Sequence, residues 1–265
     1  MRVLVATAVL VERDAVAAAF APSTAKEYAI PGASLARVTP SAGSSVPVPV
    51  FDLLAAGVGP AAAAAATAAA LTAAALTEEP HGPHGSHDPH KPYGPYGPYD
   101  LVVSTGIGGG FQPHAPVGSL VLADEITAAD LGAETAEGFV PVTELGFGAV
   151  THRPPESLVR EVAARTEALT GAVLTVNTVT GSAGRAAELR RRHPRALAEA
   201  MEGFGVAEAA AAHGVPVLEL RAVSNPVGPR DRAAWRIGDA LAALTGAFGK
   251  LAPALESWNP HDRTQ

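Results

Sequence analysis

The sequence predicts an α/β fold in which helices wrap a mainly parallel or mixed central sheet, and three observations carry that expectation. Short apolar runs bounded by Gly, Pro or polar residues alternate along the chain with longer helical stretches. Most of these runs are apolar throughout, as expected of strands covered on both faces. The chain has 265 residues, 48% hydrophobic and 17% charged, a globular composition long enough to bury a full core.

The first run, Arg2–Thr7, leads into a helix over Val11–Phe20. Leu35–Thr39 and Val50–Ala56 read as the next strands. Gly57-Val58-Gly59-Pro60 then turns the chain into an Ala-rich helix, Ala61–Leu76, with Pro60 in its first turn. Strands are expected at Asp100–Thr105, Ser119–Ala123, Ala172–Thr178 and Val217–Val223. Helices are expected at Pro155–Leu169, Ala183–Arg192, Gly203–His213 and Ala233–Leu251. Residues 1–251 form a single expected domain, with 78–99 an insertion and 252–265 a tail. The insertion is too rich in Pro and Gly for helix or sheet. Its His81, His84, His87 and His90 could meet a divalent cation, but a loop without supporting contacts fixes no ligands, so no metal site is expected.

Composition removes several function classes. The formal net charge is −7, whereas a protein that neutralises phosphates needs a basic surface, so no nucleic-acid partner is expected. There is no Cys, hence no disulfide, thiolate nucleophile or Cys-ligated metal. The apolar start resembles a signal peptide, but Glu12, Arg13 and Asp14 interrupt it where such a peptide stays uncharged. Leu53–Thr77 carries no charge yet is mostly Ala and broken by Gly and Pro, so no membrane span is expected. The expectation is a soluble cytoplasmic protein without a cofactor.

Ligands of such sheets gather at the carboxyl ends of the strands. Gly57-Val58-Gly59-Pro60 and Thr105-Gly106-Ile107-Gly108-Gly109-Gly110 stand there, and glycines let the backbone approach a ligand closely. Neither is a dinucleotide fingerprint or a P-loop. Glu12 follows the first strand, where it is either a helix-dipole carboxylate or a general base. Glu202 precedes a helix of small residues and is either a cap or an acceptor for vicinal hydroxyls, with Met201 against the sugar. Asn225, at the end of the Val217 strand, offers the donor and acceptor that a purine edge needs, though Ser-Asn-Pro is also a good turn.

In order along the chain, these pieces resemble the nucleoside phosphorylase/nucleosidase superfamily of the methylthioadenosine and adenosylhomocysteine nucleosidase type. They are the strand with Glu12, Gly57-Val58-Gly59, Thr105-Gly106-Ile107-Gly108-Gly109, Val117–Glu125, Met201-Glu202-Gly203 and Arg221-Ala222-Val223-Ser224-Asn225. The closing run Arg221–Asp231, with Trp235 and Ile237, resembles the futalosine hydrolase family, nucleosidases of a menaquinone pathway that release hypoxanthine. The resemblance implies a three-layer α/β/α fold whose central mixed sheet is partly barrel-like. It implies a homodimer acting on a small nucleoside. It also implies that Glu12 activates water, that Met201 and Glu202 hold the ribose, and that Ile107 and Gly108 wall the sugar and base. The backbone around Thr178 and Val179 would contact the base. The family's general acid after Ser is an Asp, and Asn225 stands there instead. An Asn cannot donate a titratable proton but can hydrogen-bond a 6-oxopurine, and Asp231 is a second candidate proton source. Phe139, Phe147 and Arg153 are candidates for holding the benzoate arm of the substrate. A phosphorylase would need cations near the first strand, where this chain has Glu12.

Overall fold

The structure, a computed structural model, describes residues 1–21, 25–38, 49–76 and 98–258. The four His of the 78–99 insertion and Thr39 lie outside the described residues.

The first half of the chain runs through β1 (Arg2–Thr7), α1 (Leu10–Ala18), β2 (Lys26–Ile30), β3 (Ala33–Val38), β4 (Val50–Ala55) and α2 (Pro60–Leu76). It continues through β5 (Leu101–Gly110), β6 (Leu120–Ala128), β7 (Gly132–Thr135), β8 (Gly138–Pro141) and β9 (Thr151–His152). The second half holds α3 (Glu156–Thr166), β10 (Leu169–Thr175), α4 (Ala183–Arg192), β11 (Ala196–Ala200), α5 (Gly203–Ala212) and β12 (Val217–Pro226). A 3-10 turn at Arg232–Ala234 and α6 (Ile237–Ser257) close it.

β1 lies between β4 and β5 and runs parallel to both. On the far side of β5, β12 is parallel to it and antiparallel to β6. β10 runs parallel to β6 and to β11. β11 then returns to β5, antiparallel, through Ala198↔Gly110 and Glu199↔Gly109. That last pairing closes β5, β12, β6, β10 and β11 on one another, while β4, β3 and β2 extend as an open wing. The sheet is therefore mixed and partly closed into a barrel, as the family resemblance implies. One core layer packs Ala63, Leu71, Phe204 and Val206 of α2 and α5 on the sheet, and the other packs Val16, Leu158 and Phe248 of α1, α3 and α6. Contact between α2 and α5 is so close that a Cβ on Gly205 would stand 2.0 Å from the Pro60 carbonyl oxygen. At the amino-terminal end of β1, buried Asp52 accepts hydrogen bonds from Arg2, Arg37 and the Tyr99 hydroxyl. Burial pushes its carboxyl up, but the two guanidiniums prevail and hold it below the usual range.

Three differences from the sequence reading have local causes. The expected helix to Leu169 ends at Thr166, because Glu167 adopts a left-handed conformation (φ 59°) and returns its N–H to Ala163. β11 was not expected: its sequence, ALAEA, has little strand propensity and is held by ladders on both sides. α6 runs six residues past the expected end at Leu251, and Ala254 and Leu255 are buried, so the segment from 252 begins as helix rather than tail. No helix among the described residues is long and apolar enough to cross a membrane.

Candidate active site

The carboxyl ends of β1, β4, β5, β10, β11 and β12 deliver Glu12, the Gly57–Gly59 turn, Ile107, Gly108, Thr178, Val179, Met201, Glu202 and Asn225, while Asp231 lies in the segment leaving β12 and Phe139, Phe147 and Arg153 belong to β8 and the segments around β9. Glu12 comes first. β1 stops at Thr7, the chain turns through Ala8 and Val9, and α1 begins at Leu10. This turn folds the Glu12 side chain back over the strand end, where it is 4% exposed. One oxygen accepts the amides of Ala8 (3.0 Å) and Val9 (3.3 Å); the other accepts the Ile107 amide at 2.9 Å. The contact with Ile107 lies outside its own helix, so helix capping alone does not account for this carboxylate.

Gly106 makes the approach possible. A Cβ there would stand 2.6 Å from Glu12 Oε1 and 2.9 Å from Arg221 Nη1, so a side chain on Gly106 would wedge into both charged groups. Arg221 is fully buried. Its Nε donates to Glu219 Oε1 at 2.9 Å and its Nη2 to the Ser104 hydroxyl at 3.1 Å. Its Nη1 lies 3.3 Å from Glu202 Oε2. Burial disfavours the guanidinium's charge, but Glu219, Glu202 and Glu12 overcome that cost and keep it protonated. Burial also pushes the Glu219 carboxyl above its ordinary range, against the pull of Arg221. The result is a buried cluster of one cation among three carboxyl groups, whose charge balance suits a neighbouring positive charge better than an anion such as phosphate.

Glu202 stands at the N-cap of α5 without capping it; the Thr175 hydroxyl accepts the Phe204 amide instead. Glu202 reaches across to the Gly59 amide at 3.2 Å, which ties the Gly57–Gly59 turn to this cluster. Met201 beside it is half-buried. Gly203 must be bare, since a Cβ would stand 2.2 Å from both Glu219 carboxylate oxygens. Ile107 is half-buried and Gly108 buried, with the Glu199 carbonyl 2.9 Å from where a Gly108 Cβ would be.

A register shift in the β12–β5 ladder between Val223 and Asn225 re-aims the end of β12. There the Ser224 hydroxyl donates to Asn225 Oδ1 at 2.8 Å, and Asn225 Nδ2 donates to the Pro226 carbonyl at 3.0 Å. Ser224 thus fixes which way the amide faces. Thr178 and Val179 are not in a strand, as expected for them, but in the exposed loop after β10. The ladder ends because Asn177 turns to Asp130 and Thr180 to Glu199. Asp231 is exposed and accepts the Ala233 amide to start the 3-10 turn. Of the candidates for the benzoate arm, Phe139 stacks under Arg192, Phe147 is 68% exposed and Arg153 pairs with Glu125 at 2.5 Å.

Sequence reasoning missed Arg221, Glu219 and Glu199 as site residues. The signal for the first two was present in Leu218-Glu219-Leu220-Arg221, where charges alternate with apolar residues inside a strand that must be buried.

Residues 34–254 match the family described as the phosphorylase superfamily. A futalosine hydrolase from Streptomyces coelicolor is 68% identical over 263 residues, covering 99% of this chain and all of the relative. Among solved structures, futalosine hydrolase from Helicobacter pylori superimposes with a TM-score of 0.73 at 16% identity, covering 96% of this chain and 97% of that one. A methylthioadenosine/adenosylhomocysteine nucleosidase from Neisseria meningitidis gives 0.71 at 21% identity, over 97% and 99% of the two chains. These two likenesses establish the shared fold; the sequence matches establish that the chain belongs to the phosphorylase superfamily.

Proposed function

We propose that the chain hydrolyses the N-glycosidic bond of futalosine, releasing hypoxanthine and leaving dehypoxanthine futalosine, as a cytoplasmic step of menaquinone synthesis. The observation that carries this reading is the cluster of three carboxyl groups around Arg221, which suits a cationic sugar and a water nucleophile rather than phosphate. The 68% identity to a futalosine hydrolase supports the choice of substrate.

In this mechanism Glu12, held by three amides at the end of β1, takes the proton of the water that attacks C1′. Bond breaking leaves positive charge on the ribose and negative charge on the purine, and the site must stabilise both. Glu202 accepts the ribose hydroxyls, with Met201 against the ring and Ile107 and Gly108 as the wall. Because Ser224 donates to Asn225 Oδ1 and one amide N–H goes to the Pro226 carbonyl, the second N–H of Asn225 is the group that donates to the departing purine. The backbone of Thr178 and Val179 contacts the base. Asp231, engaged with the Ala233 amide, is the weaker candidate for a proton source. A homodimer is supported by the exposed Val9, Leu10, Val11 and Val58 beside the ends of β1 and β4. No cofactor or metal has a role in these steps.

The test incubates the protein without phosphate with futalosine, inosine and methylthioadenosine and follows free base by chromatography. The expected result is hypoxanthine from futalosine alone. Adenine from methylthioadenosine would overturn the role given to Asn225 and make the activity that of the adenine-releasing nucleosidases.

A further inference from the structure

We infer that Glu199 is a positioning residue that sets the choice of purine, by holding the loop Asn177–Thr180 at a fixed distance from the Gly108 wall. The inference rests on the proposed placement of the base against Thr178 and Val179.

Along β11, Ala198 and Ala200 enter the apolar core, so the alternation of a strand sends Glu199 to the opposite face. It is 4% exposed there, and burial pushes its carboxyl up against the pull of the Thr180 hydrogen bonds and of Arg185. A buried carboxyl group needs hydrogen bonds to offset its lost hydration. Both come from one residue: the Thr180 amide donates to Oε1 at 2.8 Å and the Thr180 hydroxyl to Oε2 at 2.5 Å. Such a two-point contact fixes Thr180 in orientation as well as in place.

The other end of the loop is fixed in the same way. Asp130 accepts the Asn177 amide at 2.7 Å and its side-chain NH₂ at 3.1 Å. Thr178 and Val179, both exposed, therefore stand between two carboxyl anchors. The main chain of Glu199 is fixed too, since it pairs with Gly109 of β5 and its carbonyl abuts Gly108. One residue thus joins the Gly108 wall, through its backbone, to the base loop, through its side chain.

That coupling bears on specificity because a 6-oxopurine and a 6-aminopurine present inverted patterns along one edge. The first offers an acceptor at O6 and a donor at N1; the second offers a donor at the amino group and an acceptor at N1. Peptide groups locked in one orientation match one pattern and leave unpaired polar groups against the other. A loop freed from Glu199 can adapt to either.

The test measures kcat and KM of the full chain for futalosine and for its 6-amino analogue. Four variants are compared with wild type: Glu199→Ala, Glu199→Gln, Thr180→Val and the double Glu199→Ala/Thr180→Val. In Glu199→Ala, KM for futalosine should rise about tenfold or more with kcat within about threefold, and the ratio of kcat/KM between the two substrates should fall about tenfold. Thr180→Val should lower the same ratio, and the double variant should be no worse than Glu199→Ala, since the two residues form one contact. Glu199→Gln should keep the ratio near wild type, because its carbonyl can accept the Thr180 amide while its NH₂ donates to the hydroxyl. Equal losses on both substrates, or an unchanged ratio in Thr180→Val, would overturn the inference. A wild-type protein inactive on futalosine would instead overturn the proposed function itself, so the two failures are distinct.

Discussion

Glu12→Gln lowers kcat for base release by about 10²–10⁴-fold while KM changes little, the signature of an interaction needed in the transition state but not for binding. Gln keeps a carbonyl oxygen that can accept the Ile107 amide, so the link between α1 and β5 survives. It cannot take a proton from water. Its NH₂ group would also face the Ala8 and Val9 amides, donor against donor, which the carboxylate satisfies in the native protein. Single-turnover measurement of hypoxanthine release, beside a binding measurement for futalosine, separates the two effects. A loss of less than about threefold would remove Glu12 as the base, because positioned general bases contribute far more.

The second large effect is on stability. Arg221→Met is expected to destabilise the fold by about 3–5 kcal/mol, the range for removing one partner of a buried ion pair. Met matches much of the volume, so the loss is electrostatic: Glu219, fully buried, would lose the cation that hydrogen-bonds to it, and Glu202 its neighbour at 3.3 Å. Adding Glu219→Gln to Arg221→Met should restore part of that loss, since a neutral amide costs less to bury than an unpaired carboxylate. Urea unfolding of the two variants beside wild type checks this. A double variant as unstable as the single one would show that the pair matters for packing and not for charge.

The contrast between Glu12 and Arg221 shows what the sequence could and could not reveal. Glu12, Met201, Glu202 and Asn225 were legible because each sits at a boundary between a strand and a helix or turn, where the residue string changes character. The catalytic end of an α/β sheet is assembled from such boundaries. Arg221 and Glu219 lie inside a strand, and their meaning depends on Ser104, Glu202 and Gly106 from other strands, which only the ladder brings beside them. The expected strand Ala172–Thr178 reaches Thr178 because Ala172–Val176 is apolar apart from Thr175; the anchors that end the ladder earlier, Asp130 and Glu199, come from other elements. β11 was hidden for the reverse reason, its Ala-rich string reading as helix or loop until two ladders claim it.

Glycine was the better guide to close approach. The Gly57–Gly59 and Gly106–Gly110 runs read as backbone near a ligand; at Gly106 the structure gives a different reason for the missing side chain, since Glu12 and Arg221 occupy its space. The same site explains why water rather than phosphate is the expected nucleophile: an anion would approach a cluster whose carboxyl groups outnumber its guanidinium.

The central claim is therefore about the nucleophile, and isotope transfer tests it most directly. Futalosine is incubated with the protein in H₂¹⁸O without phosphate, and the sugar product is examined by mass spectrometry. The account predicts release of hypoxanthine with a single ¹⁸O at C1′ of the sugar and none in the base. No release until phosphate is added, with a sugar 1-phosphate as product, would contradict it and remove Glu12 from its role as the base that activates water.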